Sequence, residues 1–255
     1  MKFSAMQWVV LFGGRGREGI IEELLKTGVN IERVFVPVEK QAQLKGSINK
    51  LLSLQLEVEF IGKGSLDESL FGFKHRALLS IGYPFKIARH VYERHPIALN
   101  IHPTLLPKYR GPTSGAYILI NGETETGSTV HFIVEEFDAG PVVAQSTVPI
   151  SPFDTLRSMQ RKVYSAEPKL VIEALERLDR GSLPVAQEET CSSAYPKIRT
   201  PDDSQIDPTR PLIDLINEIR AADPDEFPSF FYYQGERVFI RLWRKDKPTG
   251  AKDLL

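Results

Sequence analysis

A succession of short apolar runs separated by amphipathic stretches constrains this chain more than any other feature. Gln7-Trp8-Val9-Val10-Leu11-Phe12, Arg33 to Val38, Val58-Glu59-Phe60-Ile61, Ala77 to Gly82 and Ile97-Ala98-Leu99 read as strands. Between them lie helical patterns: one through Lys26 with Ile20, Ile21, Leu24 and Leu25 on one face, another over 48–56, and a short one over 87–94. Strand and helix in alternation predict an α/β fold built on a doubly wound, mostly parallel sheet. Ser128 to Glu135 and Val142 to Val148 add two further strands, and 154–179 reads as a long helix stopped near Gly181. Residues 187–208 form a polar, proline-containing connector, followed by a helix over 212–221 and a hairpin around Gln234-Gly235. The predicted organisation is a main α/β domain over 1–186 and, over 187–255, a connector with a small carboxyl-terminal helix-plus-hairpin appendage.

The last of the buried parallel strands runs into Asn100-Ile101-His102-Pro103-Thr104-Leu105-Leu106-Pro107-Lys108-Tyr109-Arg110-Gly111. Alternate strand residues share a face, so Asn100 and His102 project together from the strand's end, where Pro103 breaks it. Open α/β sheets bind ligands at such carboxyl edges. Asp138 follows a later strand in Phe137-Asp138-Ala139-Gly140, and two strand-end loops of one sheet bring a carboxylate to an imidazole. Such a carboxylate raises the imidazole's pKa and orients it, while an amide donates to a developing oxyanion. His131 lies within a strand and reads equally as a cleft residue or a core histidine. His75, His90 and His95 read as surface or satisfied histidines.

A second constellation is Gly14-Arg15-Gly16-Arg17-Glu18-Gly19, a G-x-G-x-x-G between strand and helix, with Glu39 twenty residues beyond Gly19. Three readings stay open: a dinucleotide fingerprint, a site for another phosphate at the helix amino terminus, and a tight turn that needs glycine for backbone reasons alone. Arg15 and Arg17 favour an anionic ligand. With Gly14 and Gly16, and with Lys108 and Arg110 after the histidine motif, they are the candidate substrate-binding residues. Tyr195 to Ser204 reads either as a segment reaching back over the cleft or as a solvated linker.

Charge narrows the partners. Lys+Arg 32 against Asp+Glu 33 gives a formal net charge of -1, which disfavours nucleic acid. The one cysteine, Cys191, excludes an intramolecular disulfide and a cysteine-based metal site, and the histidine spacings form no metal cluster. No apolar run approaches the ~18 residues that span a bilayer. With no signal-peptide cleavage pattern near the first strand, the expected location is cytoplasmic and no membrane partner is expected.

The motifs at 100–111, Asn121-Gly122-Glu123-Thr124-Glu125-Thr126-Gly127 and Phe137 to Gln145 resemble the formyl-transferring domain of 10-formyltetrahydrofolate-dependent enzymes. That family includes glycinamide ribonucleotide transformylases, methionyl-tRNA formyltransferases and nucleotide-sugar N-formyltransferases. The resemblance covers roughly 75–180 well and the amino-terminal third only by strand order. It implies a Rossmann-like formyltransferase core, 10-formyltetrahydrofolate as co-substrate, no metal, and a catalytic triad on Asn100, His102 and Asp138. It puts the folate on Ile81, Gly82 and Tyr83, on Thr104, Leu105, Leu106 and Pro107, and on Val134 and Phe137. The pterin is expected in an apolar slot between the two loops. Asn100 and protonated His102 would stabilise the tetrahedral oxyanion, with Asp138 orienting His102.

The short connector and hairpin look most like the nucleotide-sugar enzymes. The implied reaction is therefore formylation of a nucleotide-linked amino sugar for an O-antigen-like surface polysaccharide. The alternatives are a methionyl-tRNA or glycinamide ribonucleotide formyltransferase and, in another class, a non-catalytic or redox dinucleotide-binding Rossmann protein. Phe230, Tyr232, Phe239 and Trp243 point equally to a homodimer contact or to packing on the core.

Overall fold

The computed structural model describes residues 2, 5–112, 114–195, 199–223 and 225–250. A seven-stranded sheet runs through the molecule in the order β3-β2-β1-β4-β5-β6-β7. Its strands are β1 (Gln7–Phe12), β2 (Asn30–Pro37), β3 (Val58–Ile61), β4 (Ala77–Ile81), β5 (Ala98–His102), β6 (Glu125–Phe132) and β7 (Val142–Pro149). The first five pair in parallel, and β6 and β7 add antiparallel at one edge. The α/β sheet is thus as the apolar runs predict, with β2 entering three residues earlier and β6 spanning 125–132 rather than 128–135.

Side-chain alternation divides the core between the two faces of this sheet. Trp8, Val10 and Phe12 of β1, with Leu79, Leu99 and Ile101, pack against α1 (Glu18–Lys26), α2 (Lys45–Ser53) and α6 (Leu156–Asp179). Val9, Leu11 and Leu78 face the opposite way, against α3 (Leu66–Phe71) and α4 (Arg89–Tyr92). A continuously apolar strand is what burial on both faces requires. The short α3, with only Leu66 and Leu70 buried, has no strong periodicity and is absent from the sequence reading.

Helix α6 begins where a Thr155–Ser158 capping box satisfies its first backbone donors, and it runs through Pro168. The chain around α5 (Ser114–Ile120) packs with Met159 and Ala221 in a separate cluster that joins α7 (Leu212–Ala221) to the core. Arg220 strengthens this joint by donating to the carbonyls of Ser151 and Asp154. The hairpin of β8 (Phe230–Tyr233) and β9 (Glu236–Phe239) completes the appendage around buried Phe230. No helix among the described residues is long and apolar enough to cross a membrane.

Candidate active site

β5 and β6 create the site through their register. Asn100 lies directly opposite His131 and His102 opposite Thr129, so the two histidines and the asparagine gather at one sheet end. β6 then leads into a loop that places Asp138 above them in a left-handed backbone conformation, φ 56°. Asp138 Oδ1 lies 3.5 Å from His102 Nδ1 and 3.6 Å from His131 Nε2. Asn100 Nδ2 donates toward the same oxygen at 3.4 Å, and the Gly111 N–H donates to Oδ2 at 3.0 Å.

The hydrogen bonds assign the protons. Asn100 Nδ2 only donates, so its 3.1 Å contact makes His131 Nε2 an acceptor. The His131 proton then sits on Nδ1 and is donated to the Phe132 carbonyl at 2.8 Å. His102 Nε2 donates to the Tyr109 carbonyl at 2.9 Å, which leaves Nδ1 as the basic nitrogen, facing Asp138. Burial pushes the His102 imidazole below its ordinary value and outweighs the upward pulls of Asp138 and the Tyr109 carbonyl. Burial alone would raise Asp138, but the positive charge that His102 takes up in acid and the Gly111 N–H together hold its carboxyl well below the usual carboxylate range. The resting pair is therefore a carboxylate beside a neutral imidazole with one open proton position.

Asn100, His131 and Asp138 form the inner wall of an open cleft. Tyr83, Phe85, Ile87, Ile133, Val134 and Phe137 supply its apolar lining, with Lys86, Glu135 and Glu136 at the rim. Lys86 and Glu135 pair at 2.5 Å. The buried Tyr83 hydroxyl has no hydrogen-bond partner among the described residues. Burial, then the Glu39 charge, pushes that hydroxyl up to about 12, so it stays a donor. An apolar slot with a few convergent polar groups is what a flat heteroaromatic ligand needs.

Of the expected folate residues, Tyr83, Val134 and Phe137 line this cleft. Ile81 is fully buried in β4, and Gly82 follows it with a left-handed φ of 64°, its Cα packed against Gly14. The Thr104–Pro107 turn does not line it either. Thr129 Oγ1 donates to the Thr104 carbonyl at 2.8 Å and accepts from the Leu106 N–H at 3.1 Å. Gln145 Nε2 donates to the Leu106 carbonyl at 2.7 Å, so the turn is stitched onto β6 and β7. The cleft instead lies between the strand ends of β4 and β5 and the 133–138 loop. Phe85, Lys86 and Ile87 went unnoticed because nothing in their sequence marks a strand-end loop as a wall.

Close packing accounts for Gly13 and Gly14 at the head of the glycine-rich turn, and a left-handed φ of 77° accounts for Gly16. A Cβ on Gly13 would stand 2.4 Å from the Gly82 carbonyl, and one on Gly14 2.7 Å from Arg17 Cδ. Arg17 is buried, with its guanidinium on Glu167 (2.7 Å through both Nε and Nη2) and on the Ile101 carbonyl (3.1 Å). The Gly16 N–H already donates to Glu18 at 3.3 Å, so a carboxylate occupies the helix entrance. Glu39 accepts from the Lys63 N–H at 3.0 Å. The tight-turn reading is the one this geometry favours over the phosphate and dinucleotide readings. Arg15 is exposed and pairs with Glu226.

The other two expected substrate cations also have protein partners. Arg110 is buried against Gln187 and Glu189, and Lys108 is exposed 3.8 Å from Glu123. The segment read as a reach-back or a linker begins at Tyr195, which stacks between Tyr109 and Tyr117 with ring centroids 5.5 and 4.1 Å away. Its residues 196–198 lie outside the described residues, and Arg199 covers the Tyr117 ring. Among the described residues no group of three His, Cys, Asp or Glu side chains is arranged to hold a metal ion.

Residues 82–175 match the family described as formyl transferase, a span that includes the strand-end motif, Asp138 and most of the cleft. The fold is shared with solved sugar-modifying enzymes. A 4-N formyltransferase from Francisella tularensis superposes with a TM-score of 0.79 at 19% identity, over 95% of this chain and 99% of that one. A sugar N-formyltransferase from Shewanella sp FDAARGOS_354 gives 0.76 at 20%, over 95% and 99%. WlaRD, a sugar 3N-formyl transferase solved in the presence of dTDP and 5-N-formyl-THF, gives 0.70 at 19%, over 85% and 78%.

Proposed function

We propose that this chain, which belongs to the formyl transferase family through residues 82–175, moves a formyl group from 10-formyltetrahydrofolate to the amino group of a nucleotide-linked amino sugar. The observation that carries the reading is the meeting of Asn100, His102 and Asp138 within 3.5 Å beside an apolar cleft. The cleft's aromatic and aliphatic walls fit a pterin. Full-length likeness to sugar N-formyltransferases supports the acceptor class, and WlaRD was solved with a nucleotide diphosphate and a folate.

In this reading the substrate amine attacks the formyl carbon beside Asn100. The carbonyl oxygen becomes an oxyanion and takes the Asn100 N–H that now makes only a long 3.4 Å contact with Asp138. The shorter 3.1 Å bond to His131 keeps the amide oriented. His102 is not part of the cleft wall; it stands behind Asp138 as the proton acceptor. The ammonium proton passes along Asp138 to His102 Nδ1, where the imidazolium gains the carboxylate as partner. The same proton then returns to the departing folate nitrogen as the carbon–nitrogen bond breaks. A neutral resting imidazole suits this role, whereas the sequence reading had His102 protonated from the start.

The product would enter an O-antigen-like surface polysaccharide. Tyr232, Phe239 and Trp243 of the appendage are exposed, and a homodimer through them is the partner contact of this reading. The test is to mix the protein with 10-formyltetrahydrofolate and a panel of nucleotide-linked amino sugars and look for an amine that gains one CO. Formylation of glycinamide ribonucleotide or methionyl-tRNA, with no sugar product, would reject the acceptor class and keep the reaction.

A further inference from the structure

We infer that Gln187 is a positioning residue for the proposed formyl transfer, clamping the loop of Asp138 to the loop that holds His102. The inference rests on that reading of the site. Gln187 lies in the segment read as the start of a polar connector, outside the matched family span and forty-nine residues beyond Asp138. Its amide is nevertheless fully used between the two loops.

Both of its N–H groups donate to the Asp138 loop, to the Asp138 carbonyl at 2.7 Å and the Gly140 carbonyl at 2.8 Å. Its oxygen accepts from Arg110 Nη2 at 2.7 Å and Nε at 3.2 Å. Two donors and two lone pairs exhaust what a glutamine offers. Arg110 stands between the two backbone groups that touch the catalytic pair. Before it is the Tyr109 carbonyl on His102, and after it the Gly111 N–H on Asp138.

The clamp acts where the backbone most needs holding. Asp138 has φ 56° and Tyr109 φ 60°, a region that L side chains occupy only when their surroundings hold them there. Each loop thus has a left-handed residue whose carbonyl faces a clamp or catalytic group. Gly140 is pressed onto the end of β6, since an added Cβ would stand 1.8 Å from the Phe132 carbonyl. The loop therefore has little room to relax except through the Gln187 contacts.

The connector itself is pinned independently on both sides of Gln187. Val185 exchanges two backbone bonds with Val142, at 2.7 and 2.8 Å. Ser193 and Tyr195 pair with the backbone of Arg110 at 2.8 Å each. Loss of the Gln187 side chain therefore frees the Asp138 loop without undocking the segment. A Gln187→Glu change separates the two halves of the clamp: the carboxylate keeps Arg110 but cannot donate to the two carbonyls.

The experiment compares full-length wild type, Gln187→Ala and Gln187→Glu by kcat and KM, thermal midpoint and the His102 titration followed by NMR. Both variants are expected to lose roughly ten- to a hundredfold in kcat at little-changed KM, with a displaced His102 titration. A lowered thermal midpoint with unchanged kcat and an unmoved His102 titration would overturn the assignment. Were wild type to transfer no formyl group, the functional reading would fall, and the His102 titration would still decide whether Gln187 sets the geometry of the pair.

Discussion

His102 Nδ1 faces Asp138 Oδ1 at 3.5 Å, while His102 Nε2 is committed to the Tyr109 carbonyl at 2.9 Å. The imidazole thus has one nitrogen fixed by the backbone and one reserved for a proton beside a carboxylate. Burial, which disfavours the charged ring, and Asp138, which favours it, oppose each other, and burial prevails.

The sign of that balance is measurable. The His102 imidazole of the folded protein should titrate below 6.5, its ordinary value. In Asp138→Asn the largest upward pull is gone and the burial remains, so the midpoint should fall further. NMR titration of the His102 ring checks this, and an upward move in the variant would contradict the balance described here. Because the folded value is depressed, the neutral ring contributes stability above 6.5 that is lost as pH falls through the folded value.

Asn100→Ala removes the amide that the proposal gives to the oxyanion. The expected loss is about 10²–10³ in kcat, the usual effect of deleting one oxyanion donor. KM for the folate should change much less, because the apolar cleft walls are untouched. Steady-state kinetics with both substrates varied distinguishes this from a general loss of binding.

Arg17 and Glu167 form a buried ion pair beneath β5, joined by the Ser128 hydroxyl, which donates to Glu167 at 2.8 Å. Glu167→Gln should destabilise the fold by about 3–5 kcal/mol, since it leaves the guanidinium charge buried without its partner. An Arg17→Met, Glu167→Leu double variant should recover much of that loss. Denaturant unfolding of the three proteins gives the comparison, and a single variant as stable as wild type would refute the structural role assigned to Arg17.

Gly127 sits where an added Cβ would stand 1.7 Å from the Ser146 carbonyl of the neighbouring strand and 2.8 Å from Leu105. Gly127→Ala should part β6 from β7 and displace the Leu105 turn, lowering the thermal midpoint. An unchanged midpoint would mean that the pairing relaxes around the methyl group.

The strands and the core of the site were legible because their signals are local. Apolar runs mark β1, β4 and β5, and the period of two puts Asn100 and His102 on one face whatever the rest of the fold does. His131 was half legible, since only the antiparallel register of β6 sets it opposite Asn100. The cleft walls were less so: the Thr104–Pro107 turn reads as a ligand loop, and Thr129 and Gln145, distant in sequence, hold several of its backbone groups. Arg15 and Arg17 read alike as phosphate cations, and only tertiary packing separates exposed Arg15 from buried Arg17. Gln187 has no local signal at all, because its four hydrogen bonds reach three residues of two other loops.

The most direct test is a coupled measurement on wild type and His102→Ala with 10-formyltetrahydrofolate and the nucleotide-linked amino sugar panel, reading formylated product by mass and folding by circular dichroism. The account predicts that wild type adds one CO to the amine of at least one sugar, and that the folded variant loses most of that activity. Wild type that formylates no amine, or a variant that turns over at the wild-type rate, would contradict it.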